Sequence, residues 1–487
     1  MSGRAARGFA VAALAALAGG VACSPGGCRR TPPAPASPPA AVPTAGNPLN
    51  VLLLTIDTLR ADHLGLHGYH RPTSPHIDAF AREAVTFDQA YTYWPKTRGS
   101  FVALLTGRRD SQTGYGKAHQ GLLGFNETLA SVLKRNGYQT AAVVDNANLA
   151  AANGYAKGFD DYRETWLEPA LASEIEKTHA ITAAGVDFLG RAGGPRPFFL
   201  WLHYVNPHAP YAPPAPWDTA FMDAAARGGP ELPVVAAFHG GIPRQWAVAG
   251  QRRLGYYVAQ YDGEIATVDV EVGKVLEALR GSPRWKDTLV VLTSDHGESL
   301  GEHGYYFDHG EDLFDPGLRV PLLLRVPGVA PGARRGVLAS TLDVVPTVLD
   351  TLKVSYPPDL AGASLLPAAQ GGAAPSRDRL FARNDRNLST GFDRRFKTIA
   401  LPRDDGPPTW ALYDRQEDVG ETKDAGARFP EEARAGRREL ELFQERGDRE
   451  RAQARAQAGD APPTVPLSPE ACANLKALGY ADARCPQ

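Results

Sequence analysis

The chain has 487 residues, 43% hydrophobic and 22% charged, which fits an ordinary globular protein with one large domain and smaller parts. Its formal net charge is −2, so the charge balance gives no argument for a nucleic-acid or anionic-membrane surface.

Arg4 and Arg7 precede a short apolar run, Phe9 to Ala18, followed by small residues and Cys23. The run is too short to span a bilayer, and residues 1–23 read as an export signal. Val21-Ala22-Cys23 is similar to the end of a bacterial lipoprotein cleavage site, although Gly20 stands where a larger aliphatic residue is usual. Lipidation of Cys23 and plain cleavage are both open, so the expected location is the periplasm or cell envelope, free or membrane-tethered. Residues 24–46 contain a Pro- and Ala-rich stretch that reads as a semi-rigid linker. The other cysteines are Cys28, Cys472 and Cys485. The last two flank a short segment where a local disulfide suits an oxidising compartment, with two free thiols as the alternative.

From residue 47 to 370, strands alternate with helices. Asn50 to Ile56 is a buried-strand signal ended by Asp57. Ser74-Pro75 opens a helix, and Ala84 to Tyr91 alternates as a strand. Phe101 to Thr106 reads as a helix stopped by Gly107, with Thr97 just before its start. Further strands are expected at Gln139 to Val144, Pro197 to Val205, Leu289 to Leu292 and Arg319 to Val326. Helices are expected at Asn126 to Lys134, Ser173 to Leu189, Tyr256 to Leu279 and Ser340 to Leu352. The fold class is α/β, with a large mostly parallel sheet covered by helices on both faces. Residues 371–446 change character, with a hairpin (Phe396 to Leu401, Thr409 to Tyr413) and a charged helix from Pro430, and read as a small α+β subdomain. Residues 447–487 form a C-terminal tail.

Polar residues collect at strand ends, where open α/β folds build their sites. Asp57 ends the first strand, His208 follows the Pro197 strand, and Asp295-His296-Gly297 ends the Leu289 strand. If Gly297 lets the chain turn sharply, Asp295 and His296 reach one cation; the plain alternative is a surface turn with an Asp cap. Thr97 stands where helix N–H groups favour an anion or alkoxide, or it merely caps the helix. Asp57, Thr97, Asp295 and His296 offer one divalent cation three oxygens and one nitrogen.

This constellation, in this chain order, resembles the sulfatase branch of the alkaline phosphatase superfamily. The stretches Asn50 to Gly65 (NVLLLTIDTLRADHLG), Ser100 to Arg108 (SFVALLTGR), Phe198 to Tyr211 (FFLWLHYVNPHAPY) and Thr293 to Gly304 (TSDHGESLGEHG) carry it. FKTIAL, WALYD and the terminal Leu475 to Tyr480 (LKALGY) also look like family members, so the resemblance runs over roughly residues 48 to 482. It implies a metal-dependent hydrolase of sulfate or phosphate esters on a small molecule, glycan or lipid head group.

Two departures change that expectation. Sulfatases with a formylglycine nucleophile carry a Cys/Ser-x-Pro-x-Arg motif, and here Thr97-Arg98-Gly99-Ser100-Phe101 stands in its place. Thr lacks the primary carbon that is oxidised to the aldehyde, so no formylglycine is expected. Thr97 instead resembles the metal-bound Thr nucleophile of nucleotide-pyrophosphatase-like, lipoteichoic-acid-synthase-like and phosphoethanolamine-transferase-like members. The stretch Ser294 to Gly304, with His309-Gly310 after it, looks like the last of these, without their membrane-spanning part. Thr58 replaces a second Asp of many sulfatases, which together with His296 favours zinc or manganese over calcium. Thr97, His208 and His309 are the expected catalytic residues, and Asn206 and Arg98 the expected substrate-binding ones. His208 and His309 would stabilise equatorial oxygens or protonate the leaving group, or else hold a weak second metal. Gly116-Lys-Ala-His119 is similar to a substrate-binding stretch of arylsulfatases but lies early for that role. Glu298, Glu302 and His303 read as loop-ordering residues, and Asp262 and Asp269 as surface or helix-packing charges. A phosphoethanolamine- or phosphoglycerol-type transferase acting on an envelope glycan or lipid, and a non-catalytic binding protein on the same fold, are the alternatives.

Overall fold

The computed structural model describes residues 48–116, 120–192, 194–401, 408–458, 467–480 and 485. The export signal with Cys23, the linker with Cys28, and the Lys117 to His119 part of the early Gly-Lys-x-His stretch lie outside the described residues. Among the described residues, no helix is long and apolar enough to cross a membrane.

The main sheet has eight strands: β1 (Asn50–Ile56), β2 (Val85–Tyr91), β3 (Gln139–Val144), β4 (Asp161–Glu164), β5 (Phe198–Tyr204), β6 (Thr288–Ser294), β7 (Leu322–Arg325) and β8 (Arg334–Ser340). Their order is β8-β2-β7-β6-β1-β5-β3-β4. All pairs are parallel except those of β7, which runs antiparallel to β6 and β2. The sequence reading missed β4 and β8, both partly exposed edge strands without a continuous apolar run.

The central strands read as unbroken apolar runs because both faces are covered. Val51 and Leu53 of β1, Phe199 and Trp201 of β5, and Leu289 and Val291 of β6 face one core. Leu52, Leu54 and Ile56, with Leu200, Leu202, Val290 and Leu292, face the other. Helix α1 (Thr97–Thr106) fills the first core with Phe101, Val102, Leu104 and Leu105. The long helix α2 (Leu254–Arg280) covers the second, packed beside α3 (Glu174–Arg191). Asp262 and Asp269 on α2 are wholly buried. Asp262 accepts from His63, Tyr69 and Arg71, and Asp269 accepts from the backbone N–H groups of His76 and Ile77 at the start of the Pro75–Ala81 helix. They are packing charges, as expected for one of the two readings.

A four-stranded antiparallel sheet follows, Leu380–Arg383, Ser389–Phe392, Phe396–Leu401 and Thr409–Asp414. The helix Pro430–Ala458 packs on it, with Phe443 stacked on Phe381 at 4.6 Å between centroids. This helix runs straight through residue 446, so the expected boundary between subdomain and tail falls inside one element. A last helix, Pro469–Ala477, returns to the main domain, where Leu475 joins the first core. Cys472 and Cys485 are disulfide-bonded.

Candidate active site

The parallel register sets the site. Ile56 pairs with Ser294 on one side and with Tyr204 on the other, so Asp57, Asp295 and Val205 leave the sheet at the same level. Gly297 then allows the turn after His296: a Cβ there would lie 1.9 Å from the Pro316 carbonyl oxygen. Asp57, Asp295 and His296 are wholly buried, and one ligand atom of each lies within 4.8 Å of the others. His296 Nε2 is 3.3 Å from Asp295 Oδ2 and 3.6 Å from Asp57 Oδ1.

Each ligand is oriented from behind. His296 Nδ1 donates to the Gly297 carbonyl at 2.9 Å, which leaves the Nε2 lone pair facing the carboxylates. Asn146 Nδ2 donates to Asp57 Oδ2 at 2.8 Å. The backbone N–H groups of His296 and Thr58 donate to Asp295 Oδ1. The inward oxygens, Asp57 Oδ1 and Asp295 Oδ2, accept no hydrogen bond among the described residues. Two buried carboxylate oxygens without donors, beside an imidazole lone pair, fit a divalent cation.

Burial opposes ionisation of Asp57, but His203, His208 and His296 together hold it below the usual carboxylate range. Asp295 is pushed well up by its own burial and by the Asp57 charge. His296 is held well below the usual imidazole range by burial and by His309. It therefore presents the unprotonated Nε2 a metal ligand needs.

The helix α1 starts earlier than the expected Phe101, so Thr97 is its first residue rather than the residue before it, and Lys96 takes the capping position. The Thr97 side chain caps nothing. Its Oγ lies 3.3 Å from His296 Nε2, at the positive end of a ten-residue buried helix. His309 lies against His296, with ring centroids 4.2 Å apart, and the His208 ring is 5.1 Å from that of His309. His208 Nδ1 donates to the Ala209 carbonyl. Burial pushes Glu298 up to about 8 and His309 down to about 3, and His309 Nδ1 lies 3.1 Å from Glu298 Oε1, so the pair shares a hydrogen bond.

The structure adds Tyr480, a residue that motif reasoning left outside the site. Its hydroxyl is 3.0 Å from both His208 Nε2 and His309 Nε2, and 3.2 Å from Thr97 Oγ. His203 and Asn146 were also missed as neighbours of Asp57. Asn146 follows β3 closely and could have been found by the same strand-end logic that found Asp57. His203 lies within its strand, opposite Thr55 in the β1–β5 register.

Outside the buried cluster a cavity of about 400 Å³ opens to solvent, lined by Lys96, Arg98, His208, Trp246, Asp308 and Tyr480 among others. Arg98 therefore faces a space a substrate can enter, with its guanidinium bonded to Gln120 at 2.5 Å. Asn206, expected at the substrate, has turned away: its amide accepts from Thr178 on α3 and donates to Glu264 on α2. Glu302 pairs with Arg60 at 2.7 Å and His303 stacks on Phe314, so both order their loop as expected. Glu298 does more, since it bonds a residue of the site.

The profile of the sulfatase family matches residues 49–354, and that of the N-sulphoglucosamine sulphohydrolase C-terminal region matches residues 301–434. The chain is 25% identical to an arylsulfatase of Clostridium perfringens over 385 residues, 65% of this chain and 77% of that one. It is 27% identical to the iduronate 2-sulfatase of Mus musculus over 350 residues, 58% of this chain and 60% of that one. The crystal structure of the phosphonate monoester hydrolase of Agrobacterium radiobacter superimposes with a TM-score of 0.66 at 23% identity, covering 83% of this chain and 96% of that one. That likeness establishes the fold, and the family match extends over more than half of the chain. The chain belongs to the sulfatase family of the alkaline phosphatase superfamily and is by family a sulfuric ester hydrolase.

Proposed function

We propose that the protein hydrolyses sulfate or phosphate esters with Thr97 as the nucleophile in place of formylglycine. The observation that carries this reading is the position of Thr97 Oγ, 3.3 Å from His296 Nε2 and at a helix N-terminus beside two carboxylate oxygens without donors. Asp57, Asp295 and His296 would hold the cation together with Thr97. When bound, it would supply the positive charge that makes the Thr97 hydroxyl acidic enough to react near neutral pH. The single imidazole and the absence of a carboxylate at Thr58 favour zinc or manganese over calcium.

The protein's own groups do the rest. The N–H groups of α1 face the equatorial oxygens of the ester group. His208 and His309 are fixed through Nδ1 and keep Nε2 for a substrate oxygen or a departing alcohol. Arg98 and Lys96 would hold the remainder of an anionic substrate in the outer cavity. The names of the relatives, arylsulfatase and iduronate 2-sulfatase, support a sulfated small molecule or glycan, and a phosphate ester shares the tetrahedral oxyanion shape while carrying up to one more negative charge. Export to the periplasm or envelope, with a tether if Cys23 carries lipid, belongs to the same proposal.

The test is turnover of aryl sulfate, aryl phosphate and phosphodiester substrates by the wild type, Thr97→Ser and Thr97→Ala. Serine should retain measurable turnover, and alanine should lose about 10³-fold or more. Turnover that survives undiminished in Thr97→Ala would remove Thr97 from the mechanism.

A further inference from the structure

Thr97, Asp57, Asp295 and His296 have no exposed surface, and none of them lines the outer cavity. The side chain between cavity and cluster is Tyr480. It lines the cavity, while its hydroxyl reaches back to Thr97 Oγ at 3.2 Å and to both histidine Nε2 atoms at 3.0 Å. These are the groups that a tetrahedral ester would need. An oxygen of such an ester, bonded to the same two histidines and in contact with the nucleophile, would coincide with the phenol oxygen.

The segment that delivers Tyr480 is built for this position. The helix Pro469–Ala477 docks through Asn474, whose Oδ1 accepts from the Ala147 N–H at 3.0 Å, one residue from the Asn146 that orients Asp57. The chain then reverses at Gly479, with φ of 80°, against Trp246, where a Cβ would come within 2.4 Å of the indole. The Tyr480 N–H closes the turn on the Leu475 carbonyl at 2.8 Å. Cys472 and Cys485, disulfide-bonded, close a covalent loop in which Tyr480 lies. The preceding helix Pro430–Ala458 packs on the small sheet and also meets the main domain, where Glu450 bonds Arg109 and Ser111.

We infer that Tyr480 is an in-cis occupant of the ester position: it plugs the path from the outer cavity to Thr97 and must be displaced by a tetrahedral oxyanion ester before turnover. The ester oxygens then accept from His208 and His309 Nε2, which for His208 requires a proton on Nε2 because its Nδ1–H is already held by the Ala209 carbonyl, and the disulfide loop keeps the displaced tyrosine close enough to return when product leaves. This inference rests on the site reading for what displaces the tyrosine. The plug itself is a statement about access to position 97 and can be measured without any turnover.

The experiment is labelling of Thr97→Cys by a small alkylating reagent in the folded full-length protein, with metal content measured and matched between variants. Modification is read by peptide mass at position 97. With Tyr480 present the thiol should react slowly. Adding Tyr480→Phe should change the rate by less than about threefold, because the ring still fills the path. Adding Tyr480→Gly should raise it about tenfold or more. If the glycine variant melts lower, the series Phe, Leu, Ala at position 480 reads the same dependence, with the rate rising as the side chain shrinks. Opening the loop with Cys472→Ser and Cys485→Ser should also raise it. Equal rates across the series would overturn the plug. Rates that follow the side chain in a protein with no ester turnover would keep the plug and remove the hydrolase reading, so the two fail separately.

Discussion

Asp57 and Asp295 leave adjacent parallel strands at the same level, and each keeps one buried oxygen that accepts no hydrogen bond among the described residues. Two such oxygens repel each other, so without a cation the arrangement is costly. Chelation should therefore lower the melting temperature. At a hundredfold excess over Kd a bound cation adds about 2.7 kcal/mol. Without the cation Asp295 is pushed well up and held as the neutral acid, so Asp295→Asn should leave the melting temperature of the chelated protein little changed and abolish the gain on adding metal. A wild-type melting temperature that ignores chelator, or a gain on adding metal that survives in Asp295→Asn, would contradict a metal site here.

Lys397 carries no exposed surface and lies 2.8 Å from both Asp315 Oδ1 and Glu421 Oε1, while Arg415 contacts the other Asp315 oxygen at 2.9 Å. Asp315 follows the His309 loop, so this ion cluster joins the small sheet to the segment that carries the site. Truncation by Lys397→Ala strands the buried Glu421 carboxylate and leaves Asp315 with Arg415 alone, and should cost about 3–5 kcal/mol in urea unfolding. A loss below about 1 kcal/mol would show that the cluster is solvated in solution.

Glu264 is buried on α2 and accepts from the Ala212 N–H and from Asn206, yet burial pushes it up to about 7. Its ordinary value is 4.5, so the folded state holds this proton through a window where the unfolded chain releases it. The contribution to stability is fully present below 4.5 and is lost as pH rises through about 7. Between pH 4.5 and pH 8 this one group should cost up to about 3 kcal/mol. Urea unfolding of the wild type and Glu264→Gln at both pH values should show a smaller pH-dependent loss in the variant. Identical pH dependence would mean that Glu264 titrates normally.

The central strands and three residues of the candidate metal site were legible because burial on both faces leaves continuous apolar runs that end abruptly in Asp57 and Asp295-His296. Thr97 was found through family order, and its role then depended on what surrounds it. Asn206 misled because a polar residue at a strand end points to the site or to the helices behind it, and only packing decides between them. Tyr480 was visible only as the end of a family-like terminal stretch, and nothing tied it to the site: it lies far from every other site residue in sequence and reaches them through a helix and a glycine turn. The edge strands β4 and β8 lacked the apolar run because one side of each meets solvent.

The most direct measurement is peptide mass mapping around Thr97 after brief exposure of the metal-loaded protein to aryl sulfate, aryl phosphate and phosphodiester substrates, with Thr97→Ala as control. A sulfuryl or phosphoryl adduct on Thr97, absent from the variant, is the expected result. Turnover without such an adduct, persisting in Thr97→Ala, would contradict Thr97 as the nucleophile.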